Sequence, residues 1–256
     1  EDLKAEKLEV YYMGENLASM DAKDQDVFSK YMGTQPYVAD AADMSQVRRK
    51  QFYWINWQVP PATGVTQETV RASTRLGFQA TLPSPSAWTD PGWVREGGED
   101  TRLPTFTRAI AKKQETLKPA GIALTPADAR RRWRADLWRC PPYPYKKEFC
   151  FRCVKRPRIL RVASSREREL LMFMGEGMTK LAMNTAKVKE AAQEYEDARC
   201  SLIGNPFHAG AVALLFAPSM VRLGLLKQRP APQDILDRMG LRPGEVFYPC
   251  LICGLY

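Results

Sequence analysis

The sequence predicts an α/β fold, and three observations carry that expectation. Near the start, short runs rich in β-branched and aromatic residues alternate with a helical stretch. Hydrophobic residues make up 45% and charged residues 26% of the chain, a balance that favours a buried core over disorder. The 256 residues suit one large domain or two small ones.

The elements follow in order. Leu8 to Met13 is β-prone and reads as a strand that runs into a loop at Gly14. Asp24 to Met32 reads as a helix, Tyr37 to Asp40 as a second short strand, and Phe52 to Trp57 as a third, dense in aromatics. Strand, helix, strand is the rhythm of a parallel sheet. From Pro60 to about Pro104, Pro, Gly, Thr and Ser dominate, so loops and short strands are expected, with Trp88 and Trp93 anchoring them on something apolar. Ser164 or Ser165 can cap a helix over Arg166 to Met174. Thr179 to Glu196 reads as a polar helical stretch. Pro206 sits where the first turn of an apolar helix reaching Leu215 would begin. Gln233 to Met239 reads as a short helix that Gly240 stops.

Charge points to a partner. The formal net charge is +9, which favours a polyanion, nucleic acid before an anionic membrane surface. The excess concentrates between Arg130 and Arg168, where Trp133, Trp138, Tyr143, Tyr145, Phe149 and Phe151 interleave with the cations. Basic side chains neutralise phosphates and planar rings stack on bases. Arg130, Arg132, Arg134, Lys146 and Lys147 are the candidate DNA contacts. The bland alternative is a solvated basic face with its rings turned into a core. No apolar run reaches the roughly eighteen residues a membrane span needs, so no membrane is expected.

Three segments, in this order, resemble motifs of the DNA cytosine-5 methyltransferase family, especially its de novo branch. Gly14-Glu15-Asn16-Leu17-Ala18-Ser19-Met20 is similar to the family's Glu-Asn-Val motif at a strand end. Gln46-Val47-Arg48-Arg49-Lys50-Gln51-Phe52-Tyr53-Trp54 is similar to the arginine motif that leads into an aromatic strand. Ser164-Ser165-Arg166-Glu167-Arg168-Glu169 with Met172 to Gly175, then Ser201-Leu202-Ile203-Gly204-Asn205-Pro206-Phe207, resemble the ninth and tenth motifs, and Leu215-Phe216-Ala217-Pro218 continues the tenth. The resemblance implies the C-terminal half of a Rossmann-like methyltransferase sheet. Residues 1–59 and 159–256 would belong to the core, and 60–158 to an irregular target-recognition segment.

The implied chemistry is methyl transfer from S-adenosylmethionine to carbon 5 of cytosine in DNA, in the nucleus. A thiolate adds to carbon 6, and an acid at the Watson–Crick edge eases that addition by sharing a proton with N3. Glu15 occupies the family's position for the acid. Arg49 is the candidate to hold the ring oxygen. Matching the aromatic strand puts Gln51 where the family has a second arginine; sliding by one residue gives Gln46, Arg48 and Lys50 instead. The base must leave the duplex to reach such a pocket. Asn205 and Phe207 are the candidates to touch the methyl donor. His208, the single histidine, is expected to be structural.

The 256 residues contain no Phe-x-Gly-x-Gly donor loop after a strand, and no cysteine precedes Glu15. The chain, opening on Glu1 without a signal-peptide pattern, is read as truncated or processed. The other half of the fold would lie upstream, or downstream as in the family's rearranged branch, or be absent from a relic that binds DNA without methylating it. The isolated chain is expected to be inactive. The six scattered cysteines suggest a reducing compartment. Cys150/Cys153 and Cys250/Cys253 form two Cys-x-x-Cys pairs, the basis of the alternative reading: a non-catalytic nucleic-acid-binding module stabilised by zinc.

Overall fold

The computed structural model describes residues 10–98, 100–106, 147–182, 192–204 and 206–238. They build a mixed α/β fold around a five-stranded sheet. Its strands are β1 (Met13–Leu17), β2 (Tyr37–Asp40), β3 (Lys50–Ile55), β4 (Val65–Thr69) and β5 (Thr74–Phe78), in the order β1-β3-β2-β5-β4. Helix α1 (Ala22–Met32) joins β1 to β2. Those two strands are parallel, but β3 lies between them and runs antiparallel to both. The sequence rhythm predicted a purely parallel arrangement. The link from β2 to β3 decides otherwise: Asp40 caps the tight turn Ala41–Asp43, and a connection this short reverses the chain, where a parallel crossover needs a dozen or more residues.

β1 begins later than the β-prone run at its front. It spans Gly14 rather than stopping there. A Cβ on Gly14 would come within 3.0 Å of Met32 Cε, so the missing side chain lets α1 close onto the strand. β3 also starts two residues earlier than its aromatics, because Lys50 already pairs with Asp40.

Alternation on the strands gives the sheet two different faces. On one, Ala39, Tyr53, Ile55, Leu76 and Phe78 pack against helices α4 (Ala209–Arg222) and α5 (Pro232–Arg238). The Trp57 indole donates to the Leu215 carbonyl of α4 at 2.8 Å, close to Pro218, which removes one helical hydrogen bond. On the other face, Val38, Phe52 and Trp54 pack under α1, and the Trp54 indole donates to Ser29 Oγ at 3.0 Å.

A three-stranded sheet of β6 (Trp93–Arg95), β7 (Phe151–Cys153) and β8 (Leu160–Arg161) adjoins helices α2 (Ser165–Leu171) and α3 (Ala192–Gly204). Trp88, at 1% exposure, and Phe151 pack edge to face in its core, and Trp93 packs against that core, so both tryptophans anchor the loop-rich stretch as expected. Ser164 caps α2 in a capping box with Glu167. Arg161 bridges Glu167 at 2.7 Å and Asp90 at 3.0 Å, clamping the 85–95 region to α2. In α2, Glu169 is fully buried and accepts from Gly177 N, Thr179 N and Arg199 Nη2. Among the described residues no single helix is long and apolar enough to cross a membrane.

The Glu169–Arg199 pair supplies a stability test. Arg199→Ala leaves a carboxylate buried without its cation and should cost about 3 kcal/mol. Urea unfolding measures this; a loss within about 0.5 kcal/mol, the range of ordinary surface substitutions, would show the pair to be dispensable.

Candidate functional site

The pairing of β1 with β3 puts Glu15 opposite Tyr53. Side chains alternate along β3, so Gln51 and Tyr53 point to the same side as Glu15. The Gln51 carboxamide donates to Glu15 Oε1, and the Tyr53 hydroxyl donates to Gln51 Oε1 at 3.1 Å. Tyr53 and Gln51 are buried, at 1% exposure each, while Glu15 is half-buried.

Arg49, at 4% exposure, lies on this side as well. Its backbone is fixed by Asp40, whose carboxylate accepts from Arg49 N at 2.9 Å. Its guanidinium donates from Nη1 to the Phe106 carbonyl at 3.4 Å. Residues 103–106 run as a strap across 46–49: Leu103 N donates to Gln46 O at 2.7 Å, and Arg48 N donates to Leu103 O at 2.8 Å. The Arg168 guanidinium of α2 lies over the Phe106 ring, 5.1 Å from its centroid, and braces the strap.

Glu15 and Arg49 are close enough for each charge to act on the other. Burial raises the Glu15 pKa above 4.5, and the Arg49 charge opposes that rise. Burial lowers the Arg49 pKa, and Glu15 opposes that. Burial also pushes the Tyr53 hydroxyl up, with the Glu15 charge adding to it, so it serves as a neutral donor. The result is a half-exposed acid that holds its proton more readily than usual, beside a fixed cation. Such a pair can offer an O–H and N–H donors to one planar ligand edge.

The alternative register through Gln46, Arg48 and Lys50 does not reach this site. Gln46 is buried elsewhere and accepts from Arg95 and Arg102. Arg48 is exposed, and Lys50 points to the opposite face with Phe52. Gln51 therefore stands in the position where a second arginine was expected, and it bridges Glu15 to Tyr53. The strand parity of 49, 51 and 53 carried that signal; the register that makes it meaningful did not show in the sequence.

His208 caps α4. Its Nδ1 accepts from Ala211 N at 3.2 Å and its Nε2 lies 3.1 Å from the Leu171 carbonyl, which makes Nε2 the protonated nitrogen. Complete burial, against the bond to the Leu171 carbonyl and together with the Arg49 charge, lowers its pKa to about 3, so the ring stays neutral. A structural histidine was expected, but Pro206 was expected to open this helix. The helix instead starts after His208 because the buried imidazole satisfies its first turn. Phe207 is 39% exposed on the loop before that cap. Asn205, Arg130, Arg132, Arg134 and Lys146 lie outside the described residues, as does the side chain of Lys147, whose backbone opens the turn Lys147–Phe149. Cys150 is buried, its thiol pushed up to about 11 chiefly by desolvation; Cys250 and Cys253 lie outside the described residues. Among the described residues, no three His, Cys, Asp or Glu side chains converge as a metal site.

Compared with models of protein families and with curated proteins, the chain matches none.

The raised Glu15 pKa has a consequence for stability. Folding favours the protonated acid, so this contribution is complete below the ordinary carboxyl range and is lost as pH rises through the raised folded value. Glu15→Gln, which cannot ionise, should gain stability relative to the parent as pH rises above the ordinary carboxyl range, followed by chemical denaturation. Arg49→Met should raise the Glu15 pKa further, read by carbon-detected NMR titration. An unchanged Glu15 titration would place the two charges out of each other's reach.

Proposed function

We propose that this chain carries the base-gripping and strand-recognition part of a DNA cytosine-5 methyltransferase. The observation that carries the reading is the meeting of Glu15 and Arg49 on one face of the sheet, the acid with its pKa raised and the cation buried beside it. Cytosine presents a ring nitrogen next to a ring oxygen. An acid that retains its proton can share it with N3, and a guanidinium can hold the oxygen as negative charge builds there. Gln51 steadies the Glu15 carboxyl and is itself steadied by Tyr53.

The strap supports the recognition half of the reading. Arg49 donates to the carbonyl of Phe106, and the basic, aromatic-rich segment follows directly. A strand of DNA held by that segment would therefore be tethered to the residue that grips the base. Phosphate contacts position the strand, while the Glu15–Arg49 pair reads one extruded base.

The residues at hand do not compose a site for S-adenosylmethionine. Phe207 is exposed, and the Phe-x-Gly-x-Gly run from Phe173 to Gly177 follows helix α2 rather than a strand, with Phe173 buried in the core. Donor binding and the attacking thiolate would therefore come from a complementary half of the fold. The finer fold reading, the second half of a Rossmann-like methyltransferase sheet, stands or falls with this one.

Two measurements test it. The purified chain should bind DNA with an affinity that drops roughly tenfold or more between about 50 and 200 mM salt, and should transfer no labelled methyl group unaided. In an enzyme completed with a donor-binding half, Arg49→Ala should collapse turnover far more than DNA affinity. Equal losses in both would reduce Arg49 to a phosphate contact.

A further inference from the structure

The sheet face opposite Glu15 and Arg49 holds a second recess. α1 covers Phe52 and Val38 but stops short of β5, and beside it lies a half-open cavity of about 390 Å³. Its floor is apolar, formed by Val38, Phe52 and Met20. Its rim carries three cations from three pieces of chain: Lys50 at the start of β3, Arg71 in the β4–β5 turn and Arg75 in β5. Asp26 is the sole acid among the described residues lining it.

The cations are not spent on one another's neighbours. Among the described residues no ion pair involves Lys50, Arg71 or Arg75. Glu68 stands directly opposite Arg75 in the β4–β5 ladder without closing a salt bridge to it, and Asp43 acts on Arg75 only at longer range. Arg71 has a φ of 54°, the left-handed region that Gly or Asn occupies at lower cost. The turn is closed around it by Val70 N to Ser73 O at 2.9 Å and Ser73 Oγ to Val70 O at 2.8 Å. Arg71 lines the recess from this turn.

Lone surface charges need no explanation. Three exposed cations from three pieces of chain that converge on one apolar floor, with Asp26 the one acid among its described lining residues, do. A dianion with a flat or apolar body answers both, and the volume lies within the range of small-ligand pockets. We propose that this recess binds a phosphomonoester of about the size of a nucleoside monophosphate, its phosphate among Lys50, Arg71 and Arg75 and its body on Phe52 and Val38. A free nucleotide and a 5′-phosphorylated strand end offer the same group. The recess uses neither Glu15 nor Arg49, so the proposal goes beyond the methyltransferase reading and can fail without it.

Calorimetric titration of the 256-residue chain with adenosine monophosphate, adenosine and inorganic phosphate tests the site. Adenosine monophosphate should bind, and adenosine should bind about tenfold more weakly or worse. Lys50→Ala/Arg71→Ala, which removes two rim charges outside the core, should keep its far-UV circular dichroism and lose about tenfold or more in affinity, while Lys227→Ala should lose nothing. Equal binding of nucleotide and nucleoside, no binding at millimolar concentration, or indifference to the double substitution would overturn the proposal. Displacement of the nucleotide by a 5′-phosphorylated oligonucleotide but not by its 5′-hydroxyl twin supports a strand end as the source; displacement by neither supports a free nucleotide. Equal displacement by both would overturn the monoester site in favour of a general backbone track.

Discussion

A guanidinium taken out of water has to be held, and Arg49 is the charge around which this fold is arranged. Desolvation of a cation costs several kcal/mol unless hydrogen bonds and an opposite charge offset it. Asp40 fixes the Arg49 backbone, Phe106 accepts from its side chain, and Glu15 supplies the opposing charge across the sheet. Each of those contacts comes from a different segment. The position of one side chain thus ties the first strand, the β2–β3 turn and the strap at 103–106 together.

The same constraint shapes what the site can do. Glu15 remains half in water, so it can meet a ligand, yet burial holds its proton more firmly than usual. The Gln51 carboxamide, itself held by the Tyr53 hydroxyl, orders it from behind. On the far side His208 stays neutral, which spares Arg49 a second buried positive charge. An acid and a cation kept apart from full neutralisation are available to a third partner. A base edge that accepts at two adjacent atoms is such a partner, and the proposed function takes it to be the edge of cytosine.

Much of this was legible in the sequence where local chemistry dominates. The strand Tyr37–Asp40 was legible to its ends, and in the structure Pro36 precedes it and Asp40 caps the turn that follows. A serine cap at 164 or 165 was legible, and the structure selects Ser164, whose capping box with Glu167 acts over three residues. Where pairing decides, local chemistry misled. The β-prone run before Gly14 drew the first strand too early, since no propensity scale knows that Met32 will need the space a glycine leaves. Pro206 looked like a helix start, but a buried imidazole two residues on satisfied the first turn instead. Gln51 was visible as a departure from the motif, yet its bond to Glu15 depends on a register set by strands some forty residues apart in sequence. The basic segment was legible as charge alone; most of it lies outside the described residues.

The central claim is that Glu15 and Arg49 grip an extruded pyrimidine together. Fluorine NMR of a DNA oligonucleotide carrying 5-fluorocytosine addresses it directly, because the resonance reports the environment of that one base. The parent chain should produce a new, shifted signal on binding, and Arg49→Met should abolish that signal while the oligonucleotide remains bound. A spectrum that is the same for both proteins, or a bound oligonucleotide with no shifted fluorine at all, would contradict the account.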